Sequence, residues 1–546
     1  MIRYTSNKQL SLAEFDWPFQ TALDENNRWV KLSQVVPWDE LAESYYQAFT
    51  SKRGRPTKDA RVVIGAVIIK HKLCLSDRET VAQIQETPYL QYFVGLPGYQ
   101  MEPPFAPSLF VEIRKRMGAT LFDDFHAAVV ERIEKGPSDP KKRKDKARPA
   151  DNDKAAEKAA SKPEQTSGND VPALPESEEA TESEVASEET EAPEHQGKLI
   201  LDATVAPQAI RYPTDLSLLN EARKLTEKII DHLYPHTDQK TKPRTYRQKA
   251  RKAYLAIAKQ KRPAAKVRRK GIKQQLQYLR RNLKHIEGLL EHWPQGQPIP
   301  LPRWLLYRYW VIQHLYAQQW EMYRNRRHRR HRRHRCDDRI VSISQPYVRP
   351  IVRGKLDKPV EFGAKLSVSL MGEGIACVDE IRWDAFHEGK DLVRQVEAYK
   401  ARHGYYPEVV LADPAYGSRA NRRYLKQHGI RFGGKPLGRP QKETDENREA
   451  LKKEKAQRQA DYRQRIPIEG KFGQGKRGYG LGYIEAKRAD TSAAWISSIF
   501  LVMNLMVLLR IFFALSKFTL AGRWWSLHEE KGLWWQQDSR VFHGIR

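Results

Sequence analysis

Cysteine is scarce in this chain. Cys74, Cys336 and Cys377 are scattered over 546 residues without a Cys-x-x-Cys spacing. That argues against a disulfide framework and against a cysteine-rich zinc site. The first residues, Met1-Ile2-Arg3-Tyr4-Thr5-Ser6-Asn7-Lys8, lack the apolar stretch of a secretory signal. A reducing, cytoplasmic setting fits both observations. Long hydrophobic runs are as few: Trp495–Leu515 alone has the length of a membrane span. It contains Asn504 and Arg510, and an arginine near the middle of a bilayer is costly. We therefore expect a buried helix packed on a sheet, and no membrane partner.

Acidic residues are in deficit. Lys and Arg number 96 against 67 Asp and Glu, for a net charge of +29 and a pI near 9.8. A polyanionic partner, nucleic acid above all, is the main expectation; a merely solvated basic surface is the plainer one. The length suggests about three domains.

The N-terminal region, 1–135, reads as helical. Asp59–Leu73 is strongly apolar and follows the basic turn Lys52-Arg53-Gly54-Arg55-Pro56-Thr57, with Thr57 as the expected cap. Ser76-Asp77-Arg78-Glu79 has the form of a capping box opening a helix to Glu86. Short helices follow from Pro88 and from Ser108, the second ending in a basic cluster. Such a set suits a helix-turn-helix-like DNA binder, or a small bundle used for dimerisation. Residues 136–198 are nearly devoid of large apolar side chains and run acidic between Glu176 and Glu194. They read as a disordered tether.

Order resumes at Lys198-Leu199-Ile200-Leu201-Asp202, a short apolar strand ending in a carboxylate. A second extended run, Gln208–Tyr212, follows, and Asp215 is the expected cap of a helix opening at Leu216. Residues 216–340 form a basic helical insertion, with Lys240–Lys273 read as nearly continuous helix. Leu276, Leu279, Leu283, Ile286 and Leu290 make its apolar stripe. The run Arg326–Cys336 has histidines three apart, but its arginines repel a cation and favour phosphate instead. Beyond it, Val360–Leu370 alternates as a strand, and Asp391–Arg402 is amphipathic. Val409-Val410-Leu411-Ala412-Asp413 is again an apolar strand ending in an aspartate. The helix Ser418–His428 and the strand Ile430–Phe432 follow. Strand–helix alternation implies a mixed sheet with helices on both faces.

A third carboxylate, Glu469, lies among basic and small residues just after Pro467, an early helical position by its proline. Carboxylates with no His or Cys nearby are hard oxygen ligands and select Mg²⁺, with Mn²⁺ as a substitute. Two such ions would activate an attacking oxygen and stabilise the leaving one.

The spacing Tyr462, Arg465, Glu469, Lys476 resembles the Tyr-Arg-Glu-Lys signature of bacterial insertion-sequence DDE transposases. Asp413-Pro414-Ala415-Tyr416 resembles that family's second-aspartate motif, and Leu201-Asp202-Ala203-Thr204 its first. The resemblance covers about 199–515. It implies an α/β, ribonuclease H-like catalytic domain over 199–516, a separate helical N-terminal domain and a C-terminal tail from 517. It implies metal ligation by Asp202, Asp413 and Glu469, and DNA contacts by Tyr462, Arg465 and Lys476. The implied activity is cleavage at transposon ends and joining of 3′-hydroxyls to target DNA. The implied partners are double-stranded DNA and a second copy, in a bacterial nucleoid. An inactive DNA-binding regulator and a nuclease without strand transfer are the competing readings. The long insertion lies between the first and second aspartates, whereas some relatives carry theirs between the second aspartate and the glutamate.

Overall fold

The computed structural model describes residues 15–16, 22–48, 57–134, 195–291, 293–294, 296–328, 336–352, 360–439 and 441–529. Most of the expected tether, most of the arginine–histidine run and the last 17 residues lie outside them; the tether's last residue, Lys198, opens a strand.

Seven helices open the described chain: α1 (Arg28–Val35), α2 (Trp38–Gln47), α3 (Ala60–Leu73), α4 (Asp77–Glu86), α5 (Pro88–Phe93), α6 (Leu109–Arg116) and α7 (Ala119–Glu134). The cap of α3 is Asp59 rather than Thr57: its carboxylate accepts from the Arg61 N–H at 2.8 Å. Both residue types cap well, and the place where the helix docks decides between them. Ser76 caps α4 by accepting from the Glu79 N–H.

Strand β1 (Lys198–Pro207) then enters the sheet. It does not end at Asp202. The residues beyond it pair with β3 (Val360–Leu370), from Asp202 opposite Val368 to Pro207 opposite Gly363. Gln208–Tyr212 is not a second strand; Gln208 makes one isolated bridge to Ile484. Thr214, not Asp215, caps α8 (Asp215–Leu233) in a reciprocal box with Ser217. The Asp215 carboxylate instead receives Gln319 and Arg339. The expected basic helix divides into α9 (Arg247–Ala258) and α10 (Ala265–Glu291), parted by a segment with Pro263, whose ring would disrupt a helix interior. With α11 (Arg303–His328) these helices bury Leu219, Leu276, Leu279, Ile286 and Ile312 in a core of their own.

The sheet is completed by β2 (Pro350–Val352), β3, β4 (Ala376–Arg382), β5 (Val409–Ala412) and β6 (Arg431–Phe432). The strand order is β2-β3-β1-β5-β6, with β4 also paired to β3. β1, β3 and β4 are antiparallel, and β5 and β6 run parallel to β1. Period-2 alternation divides each strand between two faces. Leu199, Leu201, Val410 and Ala412 face α12 (Leu392–His403) and α13 (Arg419–Gln427), sharing a cluster with Leu392, Val396 and Leu425. The other face carries Leu366, Val368 and Leu370 and meets Ile468 and Phe472 of α14 (Arg448–Gly478).

The last helix, α15 (Ala489–Glu529), contains the apolar run. Its stretch Ala489–Phe513 is long and apolar enough to cross a membrane, yet two thirds of its most apolar window is buried against the rest of the chain. Its partners are α7 above all, then α6, α3 and β4. The N-terminal helices therefore do not stand apart. Phe93, Phe122 and Phe125 share one continuous core with Phe500 and the sheet.

Candidate active site

The site begins with register. β1 and β5 pair in parallel, Leu201 beside Ala412, so the next residues, Asp202 and Asp413, are lateral neighbours. Both belong to the face that α14 covers, because Ile200 and Leu411 precede them on that face. Asp413 sits where β5 turns into a short 3₁₀ segment, Pro414–Tyr416. That turn is held from behind. The buried Asn421 amide donates to the Tyr416 carbonyl at 2.8 Å and the Gly389 carbonyl at 2.6 Å. Arg422 donates to the Gly417 carbonyl at 3.1 Å. Nothing in the sequence around Asn421 marks it as more than an ordinary helical residue.

Glu469 arrives on α14, though not at its start. Pro467 lies deep inside this 31-residue helix. It has no N–H to donate, so the bond to the Arg463 carbonyl is lost while the helix continues. Continuity matters for the signature residues. Spacings of three, four and seven put Tyr462, Arg465, Glu469 and Lys476 on one stripe of a helix with 3.6 residues per turn. Tyr462 is exposed, and the Arg465 guanidinium lies 5.8 Å from its ring centre. Lys476 is partly buried beside the turn at Gly482.

Arg465 joins two of the carboxylates. Its guanidinium donates to Glu469 Oε1 at 2.9 Å and reaches Asp202 Oδ2 at 3.4 Å. The Arg465 side chain is 14% exposed and that of Asp202 16%, against 54% for Glu469. Burial is the main cause that pushes the Asp202 carboxyl up to about 6. The neighbouring Asp413 and Glu469 charges push the same way, while the Ala203 N–H and Arg465 oppose them. Asp202 thus senses both other carboxylates.

Among the described residues, no group of three or more His, Cys, Asp or Glu side chains stands close enough to hold a metal ion. Arg465 occupies the position between Asp202 and Glu469. The chemistry of the donor set nevertheless fits a hard divalent cation. It offers carboxylate oxygens alone, one of them desolvated and burdened by like charge.

Two segments of the chain match transposase families. Residues 410–506, which hold Asp413, Glu469 and the α14 stripe, match the Transposase DDE domain. Residues 18–116, which hold α1 to α6, match a Transposase domain family. Together the two matches support an insertion-sequence DDE-type transposase. Asp202 and the inserted helices fall outside both matched segments. An uncharacterized protein from the nfe locus of Rhizobium meliloti is 35% identical over 102 residues. That alignment covers 19% of this chain, which spans about half (49%) of the relative's length. No solved structure matches the chain.

Proposed function

We propose that this transposase cleaves DNA at transposon ends and joins the freed 3′-hydroxyl to target DNA. Asp202, Asp413 and Glu469 are the residues that would hold Mg²⁺ or Mn²⁺. The observation that carries the reading is the convergence of three distant segments on one sheet face. Register sets Asp202 beside Asp413, and one guanidinium spans Asp202 and Glu469. The strand arrangement, three antiparallel strands followed by two parallel ones, supports a ribonuclease H-like domain.

A divalent cation held by these oxygens supplies Lewis acidity toward a phosphodiester and lowers the pKa of an attacking water or hydroxyl. The protein's own groups do the rest. Asp413 is fixed by a turn that Asn421 braces. Arg465 holds Asp202 and Glu469 in mutual orientation and sets a cation beside them, where charge would develop on a phosphate. Tyr462, exposed on the same stripe, and Lys476 two turns beyond Glu469 lie along the path a DNA strand would take over α14. The partner is double-stranded DNA, and pairing two ends calls for at least two copies of the chain.

The test is a nicking assay on DNA carrying the element's ends, with Mg²⁺. Asp413→Ala is expected to abolish nicking while DNA binding persists. Nicking by that variant at the wild-type rate would remove Asp413 from the reaction. Joined products on a supercoiled target plasmid separate transposition from simple nuclease action.

A further inference from the structure

The inserted bundle carries a concentration of positive charge that the catalytic face does not use. It is centred on Tyr246. This residue has φ +52°, a left-handed conformation that costs a non-glycine residue backbone strain. It immediately precedes α9 and makes no side-chain capping bond there. Three cations surround its ring, with Arg281 at 4.8 Å, Arg244 at 5.2 Å and Lys249 at 5.9 Å from the centroid. Arg281 and Lys284 also bear on the neighbouring His285, whose pKa is lowered first by burial and then by Arg281.

Among the described residues none of Arg244, Lys249, Arg281 and Lys284 forms a salt bridge, and all four are exposed. The nearby acid, Asp231, is engaged elsewhere, with Lys242 and Arg247 both at 2.7 Å. One tyrosine ring offers roughly 0.5–1 kcal/mol to a cation at an exposed site. It does not remove the mutual repulsion of three cations gathered on one ring. An anion set between them would relieve it. The packing that brings them together is firm: Gln275 on α10 donates to the Ala250 carbonyl on α9 at 3.0 Å, in the buried seam between the helices.

We propose that the Tyr246 cluster is a DNA-backbone site, binding successive phosphates of duplex DNA, one each through Arg244, Lys249 and Arg281. The proposal rests on the reading of the chain as a DNA-processing enzyme, and it names a contact on the insertion, away from the α14 stripe. Exposed Arg251 and Lys252 continue the positive surface along α9, as a backbone track requires.

The test measures affinity of the full-length protein for a duplex oligonucleotide of arbitrary sequence, without Mg²⁺, over a series of salt concentrations. Arg244→Gln with Arg281→Gln is expected to flatten the slope of log affinity against log salt by about two, one per lost phosphate contact. Lys249→Gln alone should flatten it by about one. Lys400→Gln removes a cation stacked on Tyr406 outside the insertion and should leave the slope unchanged. An unchanged slope in both cluster variants overturns the site, as does an equal loss with Lys400→Gln. Thermal melting of each variant verifies that it is folded. Because no metal is present, the result is independent of the Asp413→Ala nicking assay, and either can fail without the other.

Discussion

The inserted bundle and the sheet with its covering helices are built on different plans. The bundle core draws on residues between Leu216 and Ile343 alone. The core on the α14 side of the sheet draws on segments from Trp29 to Val129, from Ala206, from Ala364 to Ala376 and from Ile468 to Leu508. A core assembled from one stretch can open by itself, whereas one stitched from four stretches opens only as a whole. The bundle can therefore present its basic surface without disturbing the carboxylates. The N-terminal helices, tied to α15, cannot move without disturbing the sheet.

Four sets of substitutions bear on this contrast. The largest effect is expected from Phe500→Ala, at a fully buried position in the shared core. It should cost about 3–5 kcal/mol and loosen the N-terminal helices together with the sheet. Its counterpart Leu279→Ala, also fully buried, should cost about 2–5 kcal/mol and act on the bundle alone. Hydrogen exchange reads the difference: loss of protection in α3 and α15 on Leu279→Ala would break the comparison.

Next comes the buried pair inside the bundle. Arg223 is 1% exposed and pairs with Glu227, with Asn220 accepting a further bond at 2.8 Å. Glu227→Ala leaves that guanidinium without its acid and should cost about 3–5 kcal/mol in a chemical denaturation experiment. A loss below 1 kcal/mol would mean that water reaches Arg223.

The third is a pH effect at the contact between α7 and α15. His126 Nδ1 lies 3.2 Å from the Asn504 amide, which also bonds both backbone groups of Ala376 on β4. Burial, and then Arg402, lower the His126 pKa to about 4. The unfolded chain binds this proton near pH 6.5 and the folded one does not. Stability is therefore lost as pH falls from about 6.5 to about 4, by something on the order of 3 kcal/mol. Melting temperature against pH should flatten in that window for His126→Gln; an unaltered profile would assign the acid sensitivity elsewhere.

The smallest effect belongs to Arg247→Ala, which removes a two-bond contact to Asp231 on the bundle surface. Under about 1 kcal/mol is expected, since exposed pairs gain little over solvent. A loss as large as that of Glu227→Ala would erase the distinction between the bundle's interior and its rim.

Much of the architecture was legible in local pattern. The apolar strands before Asp202 and Asp413, the Ser76 cap and the stripe from Leu276 to Ile286 all stand where alternation and capping chemistry put them. The misreadings share a cause. Pro467 resembles a helix start because proline is favoured there, yet the helix is carried through it by Ile468 and Phe472, both buried on the sheet. Asp202 resembles a strand end, yet β1 continues because β3, far along the chain, supplies its hydrogen bonds. The place of Arg465 between two carboxylates was not legible either, because it depends on how α14 crosses β1.

The sequence by itself determined that the three acids offer carboxylate oxygens alone, and it determined the helical spacing of Tyr462, Arg465, Glu469 and Lys476, because both are properties of residue type and of a 3.6-residue turn. The tertiary structure alone decided that Asp202, Asp413 and Glu469 share one face. A strand's side chains alternate, so a register shift of one residue would have turned Asp413 to the opposite side. Leu201 pairs with Ala412, and that register, held by long-range packing, is what brings the carboxylates to the same side of the sheet.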